Sequence, residues 1–138
     1  MLAPGLAFIF DLDGVIIDSM PMHTKSWTVF LERHGVDAAN MVERMHGRRN
    51  DEIVAEFFGT HLSAAENFRL GAKKEALWRE MMDPVLLENL VPGIAGFLDR
   101  YSETPTALAT NAEPANAEFV LRKANLRSRF QAIVDGIP

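Results

Sequence analysis

Two aspartates one residue apart, Asp11 and Asp13, end the apolar run Ala7–Phe10 and are followed at once by Gly14 and a second apolar run, Val15-Ile16-Ile17. On an extended chain, side chains two residues apart point to the same side, roughly 6 to 7 Å from each other. Carboxylates so placed address opposite sides of one reacting centre, where one attacks and the other handles protons. Gly14 permits a tight turn and lets backbone amides approach a ligand closely. A second short run, Thr106-Ala107-Leu108-Ala109, ends in Thr110 and Asn111, and Pro114 then opens a helix. The free N–H groups and dipole at that helix's N-terminus favour an anion, so a phosphate ester suits both halves. Asp-x-Asp-Gly is also ordinary turn and cap chemistry. A calcium loop of the EF-hand type is a third reading; it fits badly, because a strand precedes the motif and glycine stands fourth.

The elements that must hold these groups follow from periodicity. Ala7–Phe10 is a short continuous apolar run, the mark of a strand covered on both faces. From Met20 to about Leu90 the character changes. Ser19 or Met20 followed by Pro21 opens a helix, with His23, Trp27, Phe30, Leu31 and His34 on one stripe before Gly35. Ser63 and Glu66 have capping-box spacing ahead of a helix running to Met82, in which Glu75 stands four residues before Arg79. This middle region shows no alternating strand pattern and holds all four histidines, both tryptophans and six of the seven methionines, which suggests a separate helical module. Pro92-Gly93 then precedes a helix with Ile94, Phe97, Leu98 and Tyr101 inward. The Thr106 strand, a helix with Ala117, Val120, Leu121 and Ala124 inward, and a strand over Phe130–Val134 follow. Strand, helical insert, helix, strand, helix, strand is an α/β order, and right-handed crossovers make the sheet parallel. The expected organisation is a Rossmann-like core from residues 1–17 and 90–138 with a helical cap at 18–89.

The composition excludes several functions. A chain of 138 residues that is 48% hydrophobic forms a globular core, and a net charge of -5 with no basic run argues against a nucleic-acid partner. The absence of cysteine removes disulfides, thiolate metal sites and a thiol nucleophile, and is compatible with a reducing cytoplasm. No run approaches the roughly 18 apolar residues of a membrane span, and the apolar start lacks the basic leader of a signal peptide. The expected setting is soluble and cytoplasmic.

Phe8-Ile9-Phe10-Asp11-Leu12-Asp13-Gly14-Val15 resembles the first motif of the haloacid dehalogenase superfamily, and Leu108-Ala109-Thr110-Asn111 resembles its second. The middle module is similar to the cap of the phosphatase and β-phosphoglucomutase branch. The resemblance implies that Asp11 is a nucleophile forming an aspartyl-phosphate and that Asp13 protonates the leaving oxygen and then takes a proton from water or a sugar hydroxyl. It implies that Thr110 hydrogen-bonds a phosphoryl oxygen and that Mg2+ bridges Asp11, the Asp13 carbonyl and the phosphate. True dehalogenases lack the second aspartate, which makes them a minor alternative.

The family pattern also calls for a lysine shortly after the third strand and an acidic pair on a fourth. The sequence reaches Asp135-Gly136-Ile137-Pro138 where the lysine segment is expected to begin, and Lys123, on the outer side of a helix, is no substitute. The chain therefore reads as the front part of a phosphatase for a small phosphorylated metabolite, with weak magnesium binding and little turnover by itself. Its three-stranded sheet would have an open edge, a setting for self-association. A non-catalytic binding or oligomerising module is the alternative from another class. In the cap, His23 and Trp27 have the spacing found in β-phosphoglucomutases, though on spacing alone a core histidine packed beside a tryptophan is the favoured reading. Met45–Asp51 resembles the cap's substrate loop, with Gly47 at its turn and Arg48 and Arg49 as candidate anion ligands, or else as solvated side chains. Mutases carry Lys and Arg where this loop has His46 and Asn50, and Lys where Glu113 follows the second motif, so loss of these cations argues for a phosphatase over a mutase.

Overall fold

A computed structural model describes residues 4–135; the stretch after Asp135, including the position expected to begin the lysine segment, lies outside the described residues. The chain divides into two compact units, one holding the residues up to Met20 and from Asp83 onward, the other Pro21–Met82.

The first unit carries a three-stranded sheet. Strands β1 (Phe8–Phe10), β2 (Thr106–Thr110) and β3 (Ala132–Asp135) lie in the order β1-β2-β3, all parallel. Phe10 stands beside Leu108, Leu108 beside Ile133, and Thr110 beside Asp135. β3 starts two residues later than its apolar run suggests, because Arg127–Arg129 forms a 3₁₀ turn that buries Phe130 ahead of the strand. Gln131 then ties the approach to β2: its N–H donates to the Thr106 carbonyl at 2.9 Å and its side-chain oxygen accepts from the Thr106 N–H at 2.6 Å.

Coverage of both faces, expected for the first strand, does not hold. The connections run through α5 (Ile94–Arg100) and α6 (Pro114–Lys123) while the strands advance in one direction. Right-handed crossovers of one direction put both helices on the same face. There Phe97 and Tyr101 pack on Phe8 at ring distances of 5.2 and 5.6 Å, and Leu108 is fully buried. Alternation and register place Ile9, Ala107, Ala109, Ala132 and Val134 on the opposite face. Among the described residues nothing covers it: Ile9 is 76% exposed and Val134 61%. Phe97, expected inward, is also partly exposed even as it closes the aromatic cluster.

The second unit is helical: most of α1 (Met20–Arg33), then α2 (Met41–Met45), α3 (Asn50–Phe58) and α4 (Ala64–Met82), with no strand among its residues. Trp27, Phe30, Leu31, Val54, Phe57 and Leu77 form its core, the 3.6-residue stripe of each helix turned inward. The capping box forms, with Ser63 Oγ accepting from the Glu66 N–H at 3.1 Å and Glu66 accepting from the Ser63 N–H at 2.9 Å. His34 leaves the expected stripe. It follows the last residue of α1 and is exposed, its ring lying 4.3 Å from that of Phe30. The 3₁₀ turns Asp83–Val85 and Leu87–Asn89 belong to the sheet-bearing unit. No helix of the described residues is long and apolar enough to cross a membrane.

Candidate active site

The sheet's carboxyl ends gather five of the predicted site residues, because all three strands run the same way. Asp11 follows β1 directly and is exposed, one carboxylate oxygen accepting its neighbour Leu12's N–H at 2.6 Å. Asp13 is half-buried and accepts a hydrogen bond from the Ser19 hydroxyl at 2.5 Å. Between them, Leu12 is fully buried and anchors the turn, since its carbonyl accepts from the N–H groups of Val15, Ile16 and Ile17. Gly14 sits at φ +77° with nothing near its missing Cβ, so its role is the left-handed turn itself. Its N–H closes that turn on the Ile17 carbonyl at 2.8 Å.

On the neighbouring strand Thr110 ends β2 and is buried, its hydroxyl oxygen accepting from the Ala112 N–H at 3.0 Å. That bond uses a lone pair and leaves the hydroxyl proton for an acceptor above the strand. Asn111 follows, exposed, in the short link to α6, whose first position is Pro114. Adjacent strands lie about 4.8 Å apart, so Asp11, Asp13 and Thr110 border one crevice of the kind in which open α/β sheets bind ligands. Asp11 and Asp13 offer hard oxygen donors of the type magnesium takes, yet among the described residues no group of three or more His, Cys, Asp or Glu converges. The donors fit in kind, and their number leaves such a cation largely hydrated.

The other predicted residues lie in the helical unit. His23 stacks on Trp78 with ring centroids 4.6 Å apart and planes 9° apart. Its Nδ1 lies 2.9 Å from Lys74 Nζ, which also donates to Glu75 Oε1 at 3.1 Å and stands 5.1 Å from the Trp27 ring centroid. Lys74, 1% exposed, is the residue here that sequence patterning missed. The substrate loop is shorter than expected, since Met45 closes α2 and Asn50 and Asp51 open α3, leaving His46–Arg49. Gly47 makes its turn at φ +73°. Both arginines have carboxylate partners. Arg48 reaches Glu56, which also accepts from Arg44 at 2.9 Å; Arg49 reaches Asp51 and Glu52. The Arg44 hydrogen bond, with the charges of Arg44 and Arg48, holds the Glu56 carboxyl below its ordinary range, and the Arg49 hydrogen bond does the same for Asp51. Lys123 is ion-paired with Asp83.

This geometry agrees with what the chain resembles. The family model described as haloacid dehalogenase-like hydrolase matches residues 6–138. The β-phosphoglucomutase of Bacillus subtilis is 30% identical over 135 residues, covering 94% of this chain and 60% of that protein. The fructose-1-phosphate phosphatase YqaB of Escherichia coli is 29% identical over 132 residues, covering 91% and 66%. A crystal structure of β-phosphoglucomutase from Clostridium difficile superposes with a TM-score of 0.74 at 26% identity, covering 94% of this chain and 60% of that one. The chain thus spans about three fifths of the length of these relatives. With a strand ending in Asp-x-Asp-Gly beside one ending in Thr, and a matching model over nearly its whole length, the chain belongs to the haloacid dehalogenase-like hydrolases.

Proposed function

We propose that this chain carries the nucleophilic half of a magnesium-assisted phosphatase for a small phosphorylated metabolite. The observation that supports it is the pair Asp11 and Asp13 leaving β1 beside Thr110 at the end of β2. A carboxylate oxygen of Asp11 forms a bond to phosphorus while the ester P–O bond breaks, and protonated Asp13 gives its proton to the leaving oxygen. Water then attacks the aspartyl-phosphate, its proton passing to Asp13, and inorganic phosphate leaves. Thr110 donates to a phosphoryl oxygen throughout. Asp11 and the Asp13 carbonyl would hold magnesium, which when bound offsets the repulsion between carboxylate and phosphate.

A phosphatase is favoured over a mutase, which must bind a phosphate at both ends of its substrate. The loop's Arg48 and Arg49 already face Glu56, Asp51 and Glu52, and His46 and Asn50 stand where mutases carry cations. Self-association through the open β1 edge and the bare apolar face belongs to the same reading, since both offer unpaired surface. The test assays phosphoglycolate and a panel of sugar phosphates with and without magnesium. The 138-residue chain alone is expected to release no phosphate above buffer, because among the described residues no group of three or more His, Cys, Asp or Glu converges to hold the cation. A full-length polypeptide that carries these residues together with a lysine and an acidic pair after them is expected to hydrolyse a monophosphate and to stop when magnesium is chelated. Robust turnover by the 138 residues alone, or turnover of 2-haloacids without metal, contradicts the reading.

A further inference from the structure

We infer that Ser19 is the positioning residue for the proton-transferring aspartate, an inference that rests on the role given to Asp13 above. Ser19 is 0% exposed, and its Oγ donates to Asp13 Oδ1 at 2.5 Å. A serine just ahead of a helix ordinarily accepts from the helix's first amides, and here it precedes α1, which starts at Met20. Its hydroxyl proton instead points back across six residues to a carboxylate.

The backbone that presents this hydroxyl is pinned on both sides. Ile16 and Ile17 are fully buried, and Ile17 bridges Asp13 on one side and Leu90 on the other. The Asp18 N–H donates to the Asn89 carbonyl at 2.8 Å, and the Val91 N–H to the Ile16 carbonyl at 2.9 Å. Residues 13–19 therefore form a small closed frame, with the aspartate at one corner and the serine at the other. A hydroxyl held this way limits rotation of the Asp13 carboxyl about its terminal torsion, which is otherwise broad. Charge-assisted O–H to carboxylate bonds are short and among the stronger ones in proteins. Removing the hydroxyl leaves the carboxyl in its half-buried place without that orienting donor.

The consequence is specific to proton transfer. Ser19→Ala should slow the step in which Asp13 delivers a proton and spare one that needs none. Alkyl phosphates expel a strongly basic alkoxide; p-nitrophenyl phosphate expels a stable phenolate. In the full-length polypeptide, Ser19→Ala is expected to lower the single-turnover rate of alcohol release from an alkyl phosphate by about 10- to 100-fold and that of nitrophenol from p-nitrophenyl phosphate by about twofold or less, with Ser19→Thr restoring the first. Equal losses on both substrates overturn the inference. A second measurement needs no turnover: crystal structures of the wild type and of Ser19→Ala compared at the Asp13 side chain. In Ser19→Ala the carboxyl is expected to leave its wild-type rotamer or to spread over more than one, because the donor that limits its terminal torsion is gone, and in Ser19→Thr to return. An Asp13 carboxyl unmoved in Ser19→Ala overturns the inference whatever the activity. If the wild type hydrolyses neither ester, the phosphatase reading fails while the side-chain comparison still decides the role of Ser19.

Discussion

Replacing Asp11 by Asn is expected to lower phosphate release by the full-length polypeptide about 10³-fold or more, measured as kcat on its best monophosphate. The amide keeps the shape of the side chain and its contact with the Leu12 N–H, so the fold at the end of β1 survives. What disappears is the anionic oxygen proposed to bond to phosphorus. Asp13→Asn should cost less, about 10²- to 10⁴-fold, since it removes general acid–base help and leaves the nucleophile. The two losses should also differ in kind. Without Asp13 the second step lacks its base, and covalent phosphoenzyme accumulates; without Asp11 none forms. A variant lacking Asp11 that retained most of its activity would remove this residue from the chemistry.

The carboxyl end of the sheet was legible in the sequence because its signals are local. A continuous apolar run stopped by Asp-x-Asp-Gly marks a strand, its end and its turn within eight residues, and the structure has the left-handed Gly14 where the pattern requires it. The Ser63 and Glu66 box was legible for the same reason. Coverage of the sheet was not, because an apolar strand reads alike whether its second face is covered or bare. Which face is covered depends on the direction in which successive strands advance, a property of topology rather than pattern. Ser19 was readable as a helix opener, yet its bond to Asp13 needs the folded frame of residues 13–19. Lys74 was out of reach altogether. It lies 51 residues from His23, on a helix whose sequence reads as charged and solvated.

The largest stability effect is expected at that lysine. Lys74 and Glu75 are both buried, and the ammonium donates to Glu75 and lies against His23 and Trp27. Taking charges out of water is costly, and the cost is offset only while their hydrogen bonds persist. Lys74→Ala removes the cation, strips a donor from the buried Glu75 carboxylate and empties space beside Trp27, at about 3 kcal/mol or more. Lys74→Met with Glu75→Gln, which removes both charges and fills the space, should cost markedly less. Urea unfolding followed by tryptophan fluorescence reads this directly, because Trp27 and Trp78 both border the cluster. Lys123→Ala, at a more exposed pair with Asp83, provides the contrast and should cost about 1 kcal/mol or less. Equal losses for the two lysines would mean that the buried pair contributes nothing special.

The covalent step is open to direct observation. The full-length polypeptide is mixed with its best monophosphate and magnesium, quenched in acid within one turnover, digested, and the phosphorylated peptide located by mass spectrometry. The predicted result is one phosphoryl group on Asp11, more abundant in Asp13→Asn and absent in Asp11→Asn. A phosphoryl group on any other residue, or none in Asp13→Asn while phosphate is still released, would contradict the assignment of Asp11 as nucleophile.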